Sequence, residues 1–327
     1  MSALLSPLAD SMEQFLTHHR VLGKRFDTEA AALQLLDRYL IEQEIASVEA
    51  VTSAVLEAFL DARPRPSARS YNHLLNVLQR LFRWLDRQGL LRPNPLRSRP
   101  RHATSQPLPF LFEPAQVEQL LRLAAALPDA RRTRRRGVAY SISFALMYSL
   151  GLRVGEVARL CRQDIDWQRQ CLIIRQTKFA KTRLVPFGPH LGAQLRQYLE
   201  VQDGAGAAAP TDPVVSLAHN HRQPLASHSI SRAFQRLVPQ LGLTIPPGVA
   251  APRLHCLRHS FAVGTLLRWY RSGVDPNLRL SWLSTFLRHV SPVSTAVYLN
   301  ITDALLAEAN TCFERFAASL LQEASRP

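Results

Sequence analysis

The 327-residue chain is poor in cysteine, lysine and acid, and it has no long apolar run. Its four cysteines, Cys161, Cys171, Cys256 and Cys312, include no C-x-x-C pair. That excludes a disulfide scaffold and fits a reducing, intracellular setting. The longest charge-free stretches, Gly137 to Leu152 and Leu237 to Pro252, are 16 residues each, too short to span a bilayer. The amino terminus lacks the charged-then-apolar layout of a signal peptide. A cytoplasmic protein without membrane contact is therefore expected. There is no Gly-x-x-x-x-Gly-Lys phosphate loop and no paired-carboxylate cluster, so neither ATP nor a metal cofactor is expected.

What is abundant is arginine and apolar surface. Lys+Arg number 40 against 25 Asp+Glu, a net charge of +15 and a pI near 10.7. Such an excess suits a polyanionic partner such as nucleic acid; the alternative is an arginine-favouring composition with no such partner. Residues 1–104 carry 14 basic and 11 acidic residues, whereas residues 105–327 carry 26 and 14, so the imbalance lies in the second part. Only Lys24, Lys178 and Lys181 are lysines. Arginine stays charged and forks onto two oxygens, while lysine can lose its proton where its surroundings favour it. Apolar residues make up 46% of the chain, enough for real cores, and the length suits two domains.

The apolar spacing predicts helices over Leu8–Leu22, over Ala30–Ile41 with a cap at Thr28, over Ser47–Leu60 and over Ser67–Arg87. The last places Tyr71, Leu74, Leu75, Val77, Leu78, Leu81, Phe82 and Leu85 on one face. We read residues 1–92 as a helical domain, 93–109 as a basic, proline-rich linker and 110–327 as a second domain. In the linker Arg97, Arg99 and Arg101 alternate with prolines, so the segment can track a phosphate backbone or serve as a solvated connector. Beyond it, Glu113–Leu127 and Val138–Leu150 read as helices around the basic cluster Arg131, Arg132, Arg134, Arg135 and Arg136. Two strand-like runs, Cys171–Gln176 and Arg183–Phe187, flank a possible hairpin turn. Further helices are expected at Ser227–Leu241, His255–Ser272, Arg279–Arg288, Ser291–Asn300 and Thr302–Gln322. The fold class is thus mainly α with a small β-sheet.

Four short segments have unusual chemical content: Gly151-Leu-Arg-Val-Gly-Glu156, Thr177-Lys-Phe-Ala-Lys181 followed by Arg183, His255-Cys-Leu-Arg-His259, and Leu287-Arg-His289 with Tyr298 nine residues after the histidine. Singly, each has a plain structural explanation. Arg153 and Glu156 form an ordinary i, i+3 pair, and a lone tyrosine usually packs.

Together and in this order, they resemble the tyrosine recombinase (phage integrase) family over most of residues 105–327. The family signature runs Arg, Lys, His-x-x-Arg, His or Trp, then Tyr, and Arg153, Lys178, His255, Arg258, His289 and Tyr298 follow it. Glu156 and His259 are expected in supporting places. Residues 1–92 are similar to the family's helical core-binding domain by position and helix pattern only. The chain departs from the pattern at Thr177 and Arg288, where the family usually has glycine, and in a longer stretch between Arg258 and His289.

The resemblance implies a site-specific recombinase that breaks DNA through a covalent 3′-phosphotyrosyl link, without metal or ATP. Alternatives on the same fold are a type IB topoisomerase-like enzyme and a catalytically silent DNA-binding protein. In this reading Arg153, Arg258 and His289 neutralise the scissile phosphate, Tyr298 attacks, His255 serves as its base or hydrogen-bond partner, and Lys178 protonates the leaving oxygen. Lys181, Arg183, the 131–136 cluster and the linker arginines are assigned to DNA contact. The implied partner is double-stranded DNA, gripped by a homotetramer on two sites. Without DNA a monomer or dimer is expected, and a partner recombinase or accessory factor is compatible with this scheme. Inside a bacterium it would associate with the nucleoid. The apolar positions Leu305, Leu306, Phe313, Phe316 and Leu320 suit a final helix packed on a neighbour or folded back.

Overall fold

A computed structural model of the chain describes residues 4–23, 26–63, 65, 67–91, 93–102, 107–129, 135–175, 182–203, 209–217, 223–288, 295 and 298. It falls into two compact units, Met1–Gln106 and Pro107–Pro327, each with its own buried cluster.

The first unit has four helices: α1 (Ala9–Val21), α2 (Asp27–Glu42), α3 (Ser53–Asp61) and α4 (Ala68–Arg87). All eight apolar residues anticipated on α4 are buried, and the Ser67 hydroxyl accepts from the Ser70 amide at 3.1 Å to cap it. Two starts differ from expectation. Helix α2 is entered through Phe26 in a left-handed turn, which puts Thr28 inside the helix. Helix α3 is capped by Thr52, whose hydroxyl accepts from Val55 at 3.4 Å, whereas Ser47 accepts from Ala50 in the preceding turn. A serine can close a local turn as readily as cap a helix, so the apolar pattern alone could not choose between them.

The basic, proline-rich stretch is packed on this unit. Asn72 exchanges two hydrogen bonds with the Arg101 backbone at 2.7 and 2.8 Å. The Arg101 guanidinium lies 3.9 Å over the Tyr71 ring, and the Ser53 hydroxyl donates to the Pro95 carbonyl. Arg97 and Arg99 remain exposed.

The second unit comprises α5 (Pro114–Ala125), α6 (Arg136–Leu150), the five-residue α7 (Val154–Ala158), strands β1 (Ile165–Asp166), β2 (Cys171–Ile174) and β3 (Arg183–Pro186), then α8 (Pro189–Asp203), α9 (Ser227–Leu237), α10 (Cys256–Arg271) and α11 (Pro276–Leu287). The fold class is as expected, mainly helical with one antiparallel sheet in the order β1-β2-β3. Cys171 pairs with Pro186 and Ile174 with Arg183, so β2 and β3 form a hairpin whose near end sits at Arg183. Helix α8 had no sequence expectation, because its apolar residues are spaced over a short amphipathic stretch.

Helix α6 lies at the centre, with Phe144 and Leu146 fully buried. Helix α10 packs across it and carries the catalytic-looking residues at its amino-terminal end. The Ser260 hydroxyl accepts from the Phe112 amide at 2.8 Å, joining α10 to the segment before α5. The added length between Arg258 and His289 is accounted for by the long α10, a turn at Gly273 and α11 returning toward the start of α10. Of the two last helices expected, only Thr295 and Tyr298 fall among the described residues. No helix among those residues is long and apolar enough to cross a membrane.

Candidate active site

The site is assembled where α6 ends, α7 begins, α10 begins and α11 ends. Helix α6 stops at Gly151, whose φ of +59° is left-handed. A Cβ there would come within 2.6 Å of Phe261 and 2.9 Å of Leu287. Both the backbone conformation and the close approach therefore call for glycine. Two residues on, Arg153 starts α7, and its amide donates to Glu156 Oε2 at 2.8 Å.

Glu156 organises the cations. Arg183, at the near end of β3, forks onto it with Nη1–Oε1 and Nη2–Oε2 distances of 2.7 and 2.9 Å. Arg153 Nη1 reaches the same Oε1 at 3.3 Å. Glu156 is buried, and burial alone would push its pKa up. The Arg183 fork and Arg153 outweigh burial and hold the carboxyl at about 2. Arg183, assigned to DNA contact from sequence, is thus spent on Glu156 with a side chain only 9% exposed. Bidentate pairing leaves it a structural clamp within the pocket.

Arg258 is fully buried. Its guanidinium donates to the carbonyls of Gly151 and Leu287, one from each of the two helix ends. Desolvation, with Arg153 nearby, lowers its pKa to about 9, so it remains a cation at neutral pH. Its Nε has no hydrogen-bond partner among the described residues. Arg153 Nη2 donates to the Arg288 carbonyl at 2.9 Å. Both arginines are thereby held to the turn that ends α11.

His259 Nδ1 lies 2.8 Å from the Tyr298 hydroxyl, and Tyr298 is only 4% exposed. Burial, reinforced by Arg258, lowers the His259 pKa to about 4, so the imidazole is neutral at physiological pH. Burial raises the pKa of Tyr298, while Arg258 and Arg153 pull it back. His255 is exposed at the amino-terminal end of α10, its ring edge-on to that of His259 at 4.7 Å between centroids. The tyrosine's partner is therefore the second histidine of His255-Cys-Leu-Arg-His259. The signal for it was there in sequence: His255 and His259 stand one helical turn apart, both on the side of Arg258.

The structure thus brings together Arg153, Glu156, Arg183, Arg258, His259 and Tyr298, with His255 at the rim. Lys178, Lys181, His289, Arg131, Arg132 and Arg134 lie outside the described residues. Arg135 is exposed, and Arg136 donates its Nε to the Pro128 carbonyl. Sequence reasoning passed over the carbonyls of Gly151, Leu287 and Arg288, because a backbone acceptor has no signature in a residue list.

The arrangement places a phenol beside a neutral histidine in a pocket with several fixed cations and one carboxylate. It can deliver an oxygen nucleophile to an anionic centre and stabilise extra negative charge there.

Comparison with known proteins gives the same reading. The phage integrase family model matches residues 111–304. The chain is 36% identical over 228 residues to y4rB of Sinorhizobium fredii, named an integrase/recombinase, covering 69% of each protein. It is 32% identical over 203 residues to tyrosine recombinase XerC of Chlamydia caviae, covering 62% of this chain and 57% of that protein. Among solved structures, the Tn1549 transposon integrase in complex with circular-intermediate DNA aligns over 95% of this chain and 100% of that one. The TM-score is 0.65 at 16% identity, a likeness of fold.

Proposed function

Because the chain belongs to the phage integrase family, and is thereby a tyrosine-type site-specific recombinase, we propose that it cleaves and rejoins DNA strands with Tyr298 as the nucleophile. The Tyr298 hydroxyl oxygen attacks the scissile phosphorus, and the bond to the 5′ oxygen of the next nucleotide breaks. The product is a 3′-phosphotyrosyl link and a free 5′ hydroxyl. Attack by a 5′ hydroxyl from another duplex reverses the chemistry and releases the enzyme without ATP.

The observation that carries this reading is the Tyr298 hydroxyl held on His259 beside Arg258 and Arg153. With its proton on Nε2, neutral His259 accepts the tyrosine proton through Nδ1. Arg153 and Arg258 stabilise charge on the non-bridging oxygens, and His289 adds a further donor. His255, at the rim, is the second histidine able to pass a proton outward. Lys178 protonates the departing 5′ oxygen. Glu156 and Arg183 position Arg153. In the DNA-free state the nucleophile is covered, so engagement of DNA accompanies uncovering of Tyr298.

Double-stranded DNA is the substrate, and a homotetramer on two sites performs the exchange. Residues 1–92 act as the core-binding domain and residues 110–327 as the catalytic domain, with Arg97, Arg99 and the 131–136 cluster contacting phosphates. Such contacts make binding fall steeply with salt. The test is a nicked suicide substrate carrying the cognate site. The parent becomes covalently attached to the 3′ phosphate and joins strands between duplexes, whereas Tyr298→Phe does neither. Strand joining by Tyr298→Phe at the parent's rate would falsify the assignment.

A further inference from the structure

Arg288 stands in the one turn that touches both arginines assigned to the phosphate. Its φ of +53° is left-handed, a conformation that glycine adopts without steric cost and a branched or long side chain does not. The carbonyl before it, on Leu287, accepts from Arg258, and its own carbonyl accepts from Arg153 Nη2 at 2.9 Å. The backbone bonds on both sides hold the strained turn in place. They would do so equally well with glycine, so the turn by itself does not call for arginine.

The side chain is directed into the same electrostatic neighbourhood. It is partly buried, and the charges acting on it are those of Arg183, Arg153 and Glu156. Glu156 is already engaged by the Arg183 fork and by Arg153. Arg153, Arg183, Arg258 and Arg288 against Glu156 leave an excess of three positive charges around one small pocket. Crowded cations of this kind are at their most stable once an anion enters between them.

We propose that Arg288 is a further catalytic residue, whose guanidinium donates to a non-bridging oxygen of the scissile phosphodiester alongside Arg153. The pocket then carries one cation more than the family pattern, which has glycine at this place. The inference rests on the recombinase reading above and adds a residue to it.

The experiment uses the full chain and a nicked substrate with either an ordinary phosphodiester or a methylphosphonate at the scissile position, which replaces one charged oxygen by methyl. The variants are Arg288→Gly, which suits the turn, and Arg288→Lys, which keeps the charge. Arg288→Gly is expected to melt at or above the parent's temperature and to cleave the phosphodiester on the order of 10²-fold more slowly. Its deficit should shrink markedly on one methylphosphonate stereoisomer, and Arg288→Lys should recover part of the rate. Equal deficits on both substrates, or a parent-like rate on the phosphodiester, overturn the assignment of Arg288 while leaving Tyr298 in place. Failure of the parent itself to form a covalent complex overturns the underlying reading instead.

Discussion

His259 and Tyr298, 39 residues apart in sequence, meet through a 2.8 Å contact between Nδ1 and the phenolic oxygen. A neutral imidazole is the right partner for a phenol about to lose its proton, because a protonated one has no lone pair to accept it. His259→Ala is expected to slow covalent complex formation on a suicide substrate by about 10²-fold or more, within the usual span for general-base groups. A loss below threefold would remove His259 from the proton path.

The same histidine makes stability depend on pH. Its pKa is about 4 in the folded chain against 6.5 for an ordinary histidine. As pH falls, the unfolded chain therefore takes up the proton before the folded one does. The stability held by this group is complete above about pH 6.5 and is lost progressively toward pH 4. Urea midpoints measured from pH 7.5 to 5 should fall for the parent and fall less for His259→Asn. Parallel curves would show that the group does not titrate as described.

Glu156 is the lone carboxylate among Arg153, Arg183 and the turn at Arg288. Removing it leaves buried cations without their counter-charge, so Glu156→Ala should cost about 3–5 kcal/mol in chemical denaturation. Its own acid window is separate from that of His259. The carboxyl sits at about 2 when folded against 4.5 ordinarily, so its stabilisation is intact above about pH 4.5 and drains below it. A Glu156→Ala cost under ~1 kcal/mol would mean that the arginines are solvated after all.

Arg258 joins the ends of α6 and α11 through the Gly151 and Leu287 carbonyls. Lysine keeps the charge but cannot reproduce two divergent donors. Arg258→Lys should lose cleavage by about 10²-fold and stability by roughly 1–3 kcal/mol for each buried carbonyl left without a donor. Cleavage kinetics and a thermal melt on the same preparation separate the two effects, and an unchanged melt would contradict the bridging role.

At Gly151 a single methyl group is enough to disturb the site. With φ at +59° and Phe261 and Leu287 in the way, Gly151→Ala meets both backbone strain and overpacking. A destabilisation of at least about 2 kcal/mol is expected, with a fall in cleavage because Arg153 follows directly after the turn. A neutral substitution would show that the two neighbouring side chains yield freely.

Much of this was legible in the linear order. The eight-residue apolar face of α4 reads directly, since helical periodicity repeats every turn and burial follows it. The hairpin reads from two β-branched runs. The chemical segments read because arginine, histidine and tyrosine at those spacings have few ordinary reasons to recur in that sequence. Cap choice at α2 and α3 was not legible, because several polar residues there can each satisfy a helix end or a turn.

What the amino-acid order decided alone is the inventory: helical elements, an arginine-rich second unit, and side chains able to attack and stabilise a phosphate. Which histidine meets Tyr298, and that Arg183 clamps Glu156 where a DNA contact was expected, were decided by tertiary structure. Both depend on where helix and strand ends converge. Distance between residues remote in sequence is set by packing of α6, α10 and α11, and no local pattern encodes it.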